Sequence, residues 1–222
     1  MTWVQVSMMT ALVVCLAHDG RWQSADGERS DTAVEYYYRF ESPNLDMVQA
    51  EVRFDASRRG QFVFRRKSDE EEITLDVQLL PETIERINQY LAEAQFLTSQ
   101  ENYQSERDMS HLGTTIIRVR HGAQQRQVSF NYTRHPAMRA LAELLRHMVT
   151  QESRVFAIQL ARQYEPLDLD RQLLALQREV KNGWVAEPRK LLPLLEDLQS
   201  DEGVLLMARR RVGEIIRLIK RR

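Results

Sequence analysis

The chain has 222 residues, of which 43% are hydrophobic and 28% are charged, a composition typical of a folded protein with one good core or two small ones. Its 31 basic and 32 acidic side chains nearly cancel, so no overall charge draws it toward nucleic acid or an anionic membrane. The single cysteine, Cys15, excludes an internal disulfide and a cysteine-based zinc cluster. The fold must therefore rest on burial of apolar side chains.

Residues 1–17 carry no charge and end in an apolar run over residues 11–17. This pattern predicts a signal peptide cleaved after Ala17, followed by a polar linker over residues 18–33 and a periplasmic or secreted protein. The run is shorter than the roughly 20 residues that a membrane-spanning helix needs, so no transmembrane segment is predicted. No Lys or Arg precedes the run, and the alternative is a buried N-terminal element of a cytoplasmic protein.

Residues 34–77 have the features of antiparallel strands. The aromatic segment 34–40 is followed by an alternation of apolar and polar residues over 48–55. The polar segment 55–60 predicts a hairpin turn, after which Phe62 and Phe64 resume the alternation and residues 73–77 supply a partner strand. At least one of the three tyrosines at 36–38 must point away from the core, because side chains alternate along a strand.

The remainder of the sheet is predicted around two helices. Pro81 is suited to the first turn of a helix whose apolar residues cover one sheet face, and Pro136 to the start of a second. Between them, strands are predicted at 114–120 and 127–132, joined by a turn at Gly122. The second helix continues to Tyr164, either unbroken or interrupted near residue 153.

Everything after Pro166 has helical spacing. One helix ends at Asn182-Gly183, another begins at Pro188 and is bent at Pro193, and a last one carries an apolar row from Val204 to Ile219. We therefore predict an α+β fold: an antiparallel sheet of five or six strands with two packing helices over residues 34–150, followed by a helical C-terminal extension over residues 151–222.

The sheet region resembles a known family in its framework positions. These are Arg59-Gly60-Gln61-Phe62, Leu80-Pro81, Phe96-Leu97, and the strand pair 114–132 with Pro136 and Leu141 after it. Over residues 50–149 this order of elements resembles the emfourin-like metalloprotease inhibitors, and equally several uncharacterised bacterial domains. The resemblance implies inhibition of a protease through the sheet domain.

The C-terminal helices resemble a single HEAT-type repeat, carried by residues 191–198, then 201–204 and the segment from Ala208 onward. A solenoid needs about three such repeats to bury a continuous core. We therefore interpret this pair as a docking appendage packed on the preceding helix.

No catalytic, cofactor or metal site is predicted. His135 and His147 are twelve residues apart on one predicted helix, or roughly 18 Å, and His111 and His121 flank a strand. The sequence contains neither a nucleophile elbow nor a glycine-rich phosphate loop.

The last helix is the clearest local anomaly in charge. Between Ala208 and the C-terminus, seven basic residues accompany one acid, Glu214. The predicted contact residues are Arg209, Arg210, Arg211, Arg217 and Lys220. The simplest interpretation is a solvated helix face; the functional one is a binding surface for an acidic protein or lipid surface. Nucleic acid is a poor fit, because this helix offers no aromatic side chain to stack on bases.

A second candidate surface is the polar segment 98–112, whose length inside a compact domain is typical of functional or mobile loops. Its predicted contact residues are Tyr103, Asp108 and His111. The sequence thus favours an exported, non-enzymatic protein-interaction module. The alternatives are a protease inhibitor and an enzyme with its site near this loop.

Overall fold

The computed structural model describes residues 34–107 and 109–221; the predicted signal peptide and linker, Cys15 and Asp108 lie outside the described residues. The strands are β1 (Val34–Glu41), β2 (Met47–Asp55), β3 (Arg59–Arg66), β4 (Ile73–Gln78), β5 (Thr114–His121) and β6 (Gln124–Phe130). The helices are α1 (Pro81–Glu93), α2 (Pro136–Tyr164), α3 (Leu169–Asn182), α4 (Leu192–Ser200) and α5 (Leu206–Lys220). Short 3₁₀ helices occupy Ser110–Leu112 and Pro188–Leu191.

The six strands form one antiparallel sheet in the order β4-β3-β2-β1-β5-β6. Consecutive hairpins build each half, and α1 carries the chain from the β4 edge back to β5 beside β1. The predicted α+β fold with a helical C-terminal part is confirmed. Gly60 lies in β3 beside the turn, and a Cβ there would sit 1.8 Å from the carbonyl oxygen of Arg53, so only glycine allows this close strand approach.

One face of the sheet is covered by α1 and α2, and the other is open. Tyr36 and Tyr38 are buried on the covered face, whereas Tyr37 points to the open face, as the alternation predicts. Tyr36 donates a hydrogen bond to Asn88 of α1 at 2.7 Å, and Phe64 meets Phe156 of α2 edge to face. The sheet domain thus has its core between the covered face and these two helices.

Burial of Tyr38 gives a testable pH dependence. Its side chain is 1% exposed, and its hydroxyl makes no hydrogen bond of good geometry to a described residue, although Arg146 and Thr115 are close enough to oppose the shift. Burial raises the pKa of Tyr38 from 10.0 to about 12. The folded state therefore holds the Tyr38 proton more tightly than the unfolded state does. The resulting contribution to the free energy of unfolding is complete below pH 10 and is lost as the pH rises toward 12.

We expect Tyr38→Phe to change stability little at neutral pH, because it removes an unpaired hydroxyl. Between pH 10 and about 12 the wild type should lose about 2 to 3 kcal/mol more than this variant in urea titrations. Parallel pH profiles for the two chains would contradict the assignment.

The C-terminal helices build a second core around α5. Ile158 and Ala161 of α2 contribute to it, together with the apolar faces of α3, α4 and α5. Gly183 ends α3 in the left-handed conformation at φ 75°, as the sequence predicts. The predicted bend at Pro193 is wrong: α4 begins at Leu192, so this proline lies in a first turn, where its missing N–H costs nothing.

Helix α2 runs unbroken for 29 residues and joins the two cores. Residues from Ala137 to Val149 pack in the sheet core, and Ile158 and Ala161 pack in the helical core; Phe156, between them, still contacts the sheet core. The predicted division at residues 150 and 151 therefore falls inside a continuous helix.

A buried polar junction ties the extension to the sheet domain. Glu187, 2% exposed, accepts a hydrogen bond from the backbone N–H of Leu80 at 2.7 Å, next to the start of α1. The backbone N–H of Glu187 donates to the buried side chain of Gln151 at 2.8 Å. Lys190 lies 3.6 Å from the second Glu187 oxygen and 2.8 Å from Glu152. Both parts of the chain thus share one hydrogen-bonded contact.

Candidate interaction surfaces

The segment 98–112 is fastened to the sheet domain from inside. Tyr103 is 3% exposed, with its ring stacked on Phe96 and its hydroxyl donating to the carbonyl of Ala94 at 2.8 Å. The prediction of Tyr103 as a contact residue is therefore wrong, because its side chain belongs to the core. Its polar neighbours in the sequence concealed this anchor.

Arg126 of β6 braces the same segment. Its guanidinium lies over the rings of Phe96 and Tyr103 and donates to the carbonyl of Phe96 at 2.5 Å and to that of Glu101. Farther along, Gln104 and Asn131 exchange side-chain and backbone hydrogen bonds at 2.9 Å. The segment is therefore held at several points along its length.

The other two residues predicted in this segment are His111 and Asp108. His111 is exposed in the 3₁₀ helix Ser110–Leu112 and remains a candidate contact residue. Asp108 lies outside the described residues.

The predicted basic residues of α5 fall into two groups. Arg211 makes a bidentate ion pair with Asp170 of α3, at 2.8 and 3.1 Å. Lys220 pairs with Glu196 of α4 at 3.1 Å. Arg209 is partly buried. Arg211 and Lys220 therefore have their charges paired within the chain, whereas the buried Nε of Arg209 has no hydrogen-bond partner among the described residues.

Three arginines form a separate row on the exposed side of α5. Arg210, Arg217 and Arg221 are exposed and spaced by seven and four residues, which places them on one helix face. None forms an ion pair with another residue in the part of the chain that the structure describes. Glu214, between them in sequence, accepts a hydrogen bond from Gln177 at 2.7 Å. We call these three residues the basic stripe.

A second surface feature was missed by the sequence analysis. Several of the large apolar side chains that are exposed lie at one end of the helical extension: Tyr164, Leu167, Leu205, Leu206 and Met207. We call them the apolar end. The consecutive apolar residues 205–207, ahead of the buried row of α5, were the available signal, because a single helix face cannot bury three successive residues.

The open sheet face carries a charge network around Glu51. This residue is 4% exposed; it accepts a hydrogen bond from the Tyr37 hydroxyl at 2.8 Å and pairs with Arg39 and Arg53. Arg118 lies over the Tyr37 ring at 4.4 Å. Burial, followed by the neighbouring Glu51, raises the pKa of Tyr37. The network links β1, β2 and β5. Each of these side chains has a partner within the network, so none of them is a free reactive group.

Within residues 34–107 and 109–221, no group of three His, Cys, Asp or Glu side chains is placed to hold a metal ion. No helix in those ranges is long and apolar enough to cross a membrane.

No protein-family model matches the chain, and no curated protein matches it. The resemblances to emfourin-like inhibitors and to a HEAT-type repeat therefore stay predictions.

Proposed function

We propose that this chain is a non-enzymatic protein-interaction module that binds an acidic surface of a partner protein through the basic stripe. The observation that carries the proposal is the row Arg210, Arg217 and Arg221, exposed on α5 with no ion pair to another described residue. Other arginines of the extension, such as Arg154 and Arg162, pair with carboxylates, whereas Arg178 and Arg189 are exposed singly, away from such a row.

Arg217 and Arg221 are four residues apart, a spacing at which two like charges on a helix repel one another. An acidic partner removes that repulsion and adds charge-assisted hydrogen bonds. The guanidinium geometry fits the paired oxygens of Asp and Glu side chains. The stripe has no aromatic neighbour on α5, which disfavours single-stranded nucleic acid as the partner.

We further propose that the module acts in the periplasm or outside the cell. The support is the uncharged segment 1–17 with its apolar run and the polar residues after Ala17, a pattern typical of secretory signals. Detection of mature chains that begin at His18, by N-terminal sequencing of the protein from its source, tests this assignment.

Reversing two charges of the stripe should abolish partner binding. We expect Arg217→Glu with Arg221→Glu to lower retention of an acidic protein from a source extract by about tenfold or more at low salt, since rim charges act by steering and complementarity. The matched control is Arg59→Glu with Lys67→Glu, which makes the same charge change on exposed residues of the sheet domain. Quantitative mass spectrometry of the captured proteins measures the effect.

The result contradicts the proposal if both double variants retain the same proteins equally. High salt supplies a second criterion, because it screens exposed charges and should weaken capture by the wild type. A partner that is basic or neutral would also contradict it.

Inhibition of a protease is the second candidate, and one observation favours it. The segment 98–107 is held rigidly by Arg126 and Tyr103, and a preorganised loop binds without the cost of ordering. Assays against a panel of purified metalloproteases test this function. Inhibition that survives Arg217→Glu with Arg221→Glu but is lost with Arg126→Met would favour it over the basic stripe.

A further inference from the structure

The apolar end consists of two turns that the helical core brings side by side. The first turn joins α2 to α3 and carries Tyr164 and Leu167; the second precedes α5 and carries Leu205, Leu206 and Met207. Arg162 in the last turn of α2 pairs with Asp201 at 2.6 Å, and Asp170 at the start of α3 pairs with Arg211 at 2.8 Å. These two ion pairs fix both turns at the same end of the extension.

The exposure of this end is large for a single site. Leu167 is 86% exposed, Met207 is 68% exposed and Tyr164 is 67% exposed. Leu160, one turn before Tyr164 on α2, adds a further exposed side chain. Several large apolar side chains exposed at one end of a helical core are typical of an interface, because isolated apolar residues are common on surfaces but groups of them are not.

The charges beside the two turns have opposite signs. Glu165 is exposed in the first turn, and Arg210 is exposed one helical turn after Leu206. Neither makes an ion pair with another residue in the described ranges. Arg171 lies near enough to Glu165 for their charges to interact, and the second turn also carries the exposed Glu202. Glu165 and Arg210 are therefore charges of opposite sign, one beside each turn.

We propose that two copies of this chain associate through the apolar end about a two-fold axis, with the α2–α3 turn of each copy on the α4–α5 turn of the other. In this arrangement Tyr164 and Leu167 of one copy cover Leu206 and Met207 of the other. Glu165 of each copy faces Arg210 of its partner. A two-fold contact forms every such pair twice, so each favourable contact counts double.

The local charges favour a second copy over other occupants. Acidic residues surround the apolar end as well as basic ones, including Glu165 and the exposed Glu202, and these would repel an anionic membrane or an acidic protein. A second copy supplies an arginine opposite each Glu165. The nearly neutral chain, with a net charge of -1, adds no general repulsion between copies.

The first test is the oligomeric state of the full chain, measured by sedimentation equilibrium over a range of concentrations. We expect a reversible dimer in the wild type. Leu167→Glu with Met207→Glu should raise the dimer dissociation constant by at least about a hundredfold, because four charges would enter the apolar contact. Leu45→Glu with Leu112→Glu is the matched control and should leave the dimer unchanged. These residues of the sheet domain are likewise apolar and exposed, at 48% and 45%.

The second test is a charge exchange that identifies the pairing. Glu165→Arg and Arg210→Glu should each weaken the dimer by about tenfold, and the double variant should restore it to within about threefold of the wild type. A wild-type chain that stays monomeric throughout overturns the proposal. A dimer insensitive to Leu167→Glu with Met207→Glu, or singles that the double variant does not rescue, overturns it too. Arg210 belongs to both the basic stripe and the proposed dimer contact. The variants Arg217→Glu and Arg221→Glu leave that contact unchanged, so loss of partner capture and loss of dimerisation are measured separately.

Discussion

Glu187→Ala should lower the free energy of unfolding by about 3 to 4 kcal/mol, the largest effect that we expect from a single substitution in this chain. The variant leaves the backbone N–H of Leu80, at the start of α1, without its hydrogen-bond acceptor. It also removes the carboxylate that lies 3.6 Å from the partly exposed Lys190, which keeps its closer partner Glu152 at 2.8 Å. An unpaired buried polar group costs its full desolvation penalty. Urea unfolding followed by far-UV circular dichroism measures the change.

Glu196→Ala is the matched control for this substitution. Glu196 also pairs with a lysine, at 3.1 Å, but both side chains of that pair are more than half exposed. Exposed ion pairs contribute only about 0 to 1 kcal/mol, so the control should barely change the unfolding midpoint. Equal losses for the two variants would show that burial does not strengthen the Glu187 contacts.

Arg126→Met should cost about 3 kcal/mol and loosen the segment 98–107. The substitution keeps an apolar stem over Phe96 and Tyr103 but removes the donors to the carbonyls of Phe96 and Glu101. Hydrogen bonds from a charged donor each contribute about 1.5 to 3 kcal/mol, and the Glu101 contact is discounted because it is exposed. Amide hydrogen exchange should accelerate in this segment more than in β1.

Arg120→Met is the control for the loop experiment. Arg120 lies on the adjacent strand β5 and pairs with Glu35 on the open face, away from the segment. We expect its variant to leave exchange in residues 98–107 unchanged. Faster exchange in both variants would indicate general destabilisation of the sheet and would contradict a specific role of Arg126.

The elements of the fold were predictable because local signals agreed with the tertiary structure. Pro81 and Pro136 each start a helix, and the apolar alternation of β1, β2 and β5 identifies the covered face. The buried Glu51 departs from that alternation, since its partners come from neighbouring side chains across two strands. Burial of a charge depends on such contacts, which single-strand patterns do not contain.

The surfaces were harder to predict for the same reason. The basic character of α5 was evident in the sequence, but the pairing of Arg211 and Lys220 depends on α3 and α4. Only Arg210 and Arg217 of the five predicted residues remain exposed without an ion pair to the rest of the described chain. Tyr103 lies in a polar segment, and its burial results from contacts with Phe96 and Arg126. The sequence spacing of these three residues does not predict those contacts.

The continuous α2 determines how force passes between the two cores and where the chain can be divided. A helix of 29 residues is about 43 Å long, and each half of it belongs to a different core. A force applied to the far end of the extension is therefore transmitted to the sheet through one continuous helix, with no flexible linker between the two cores. The extension cannot be exchanged between proteins as an independent cassette, because any fusion point inside α2 divides a helix that both halves need in order to fold.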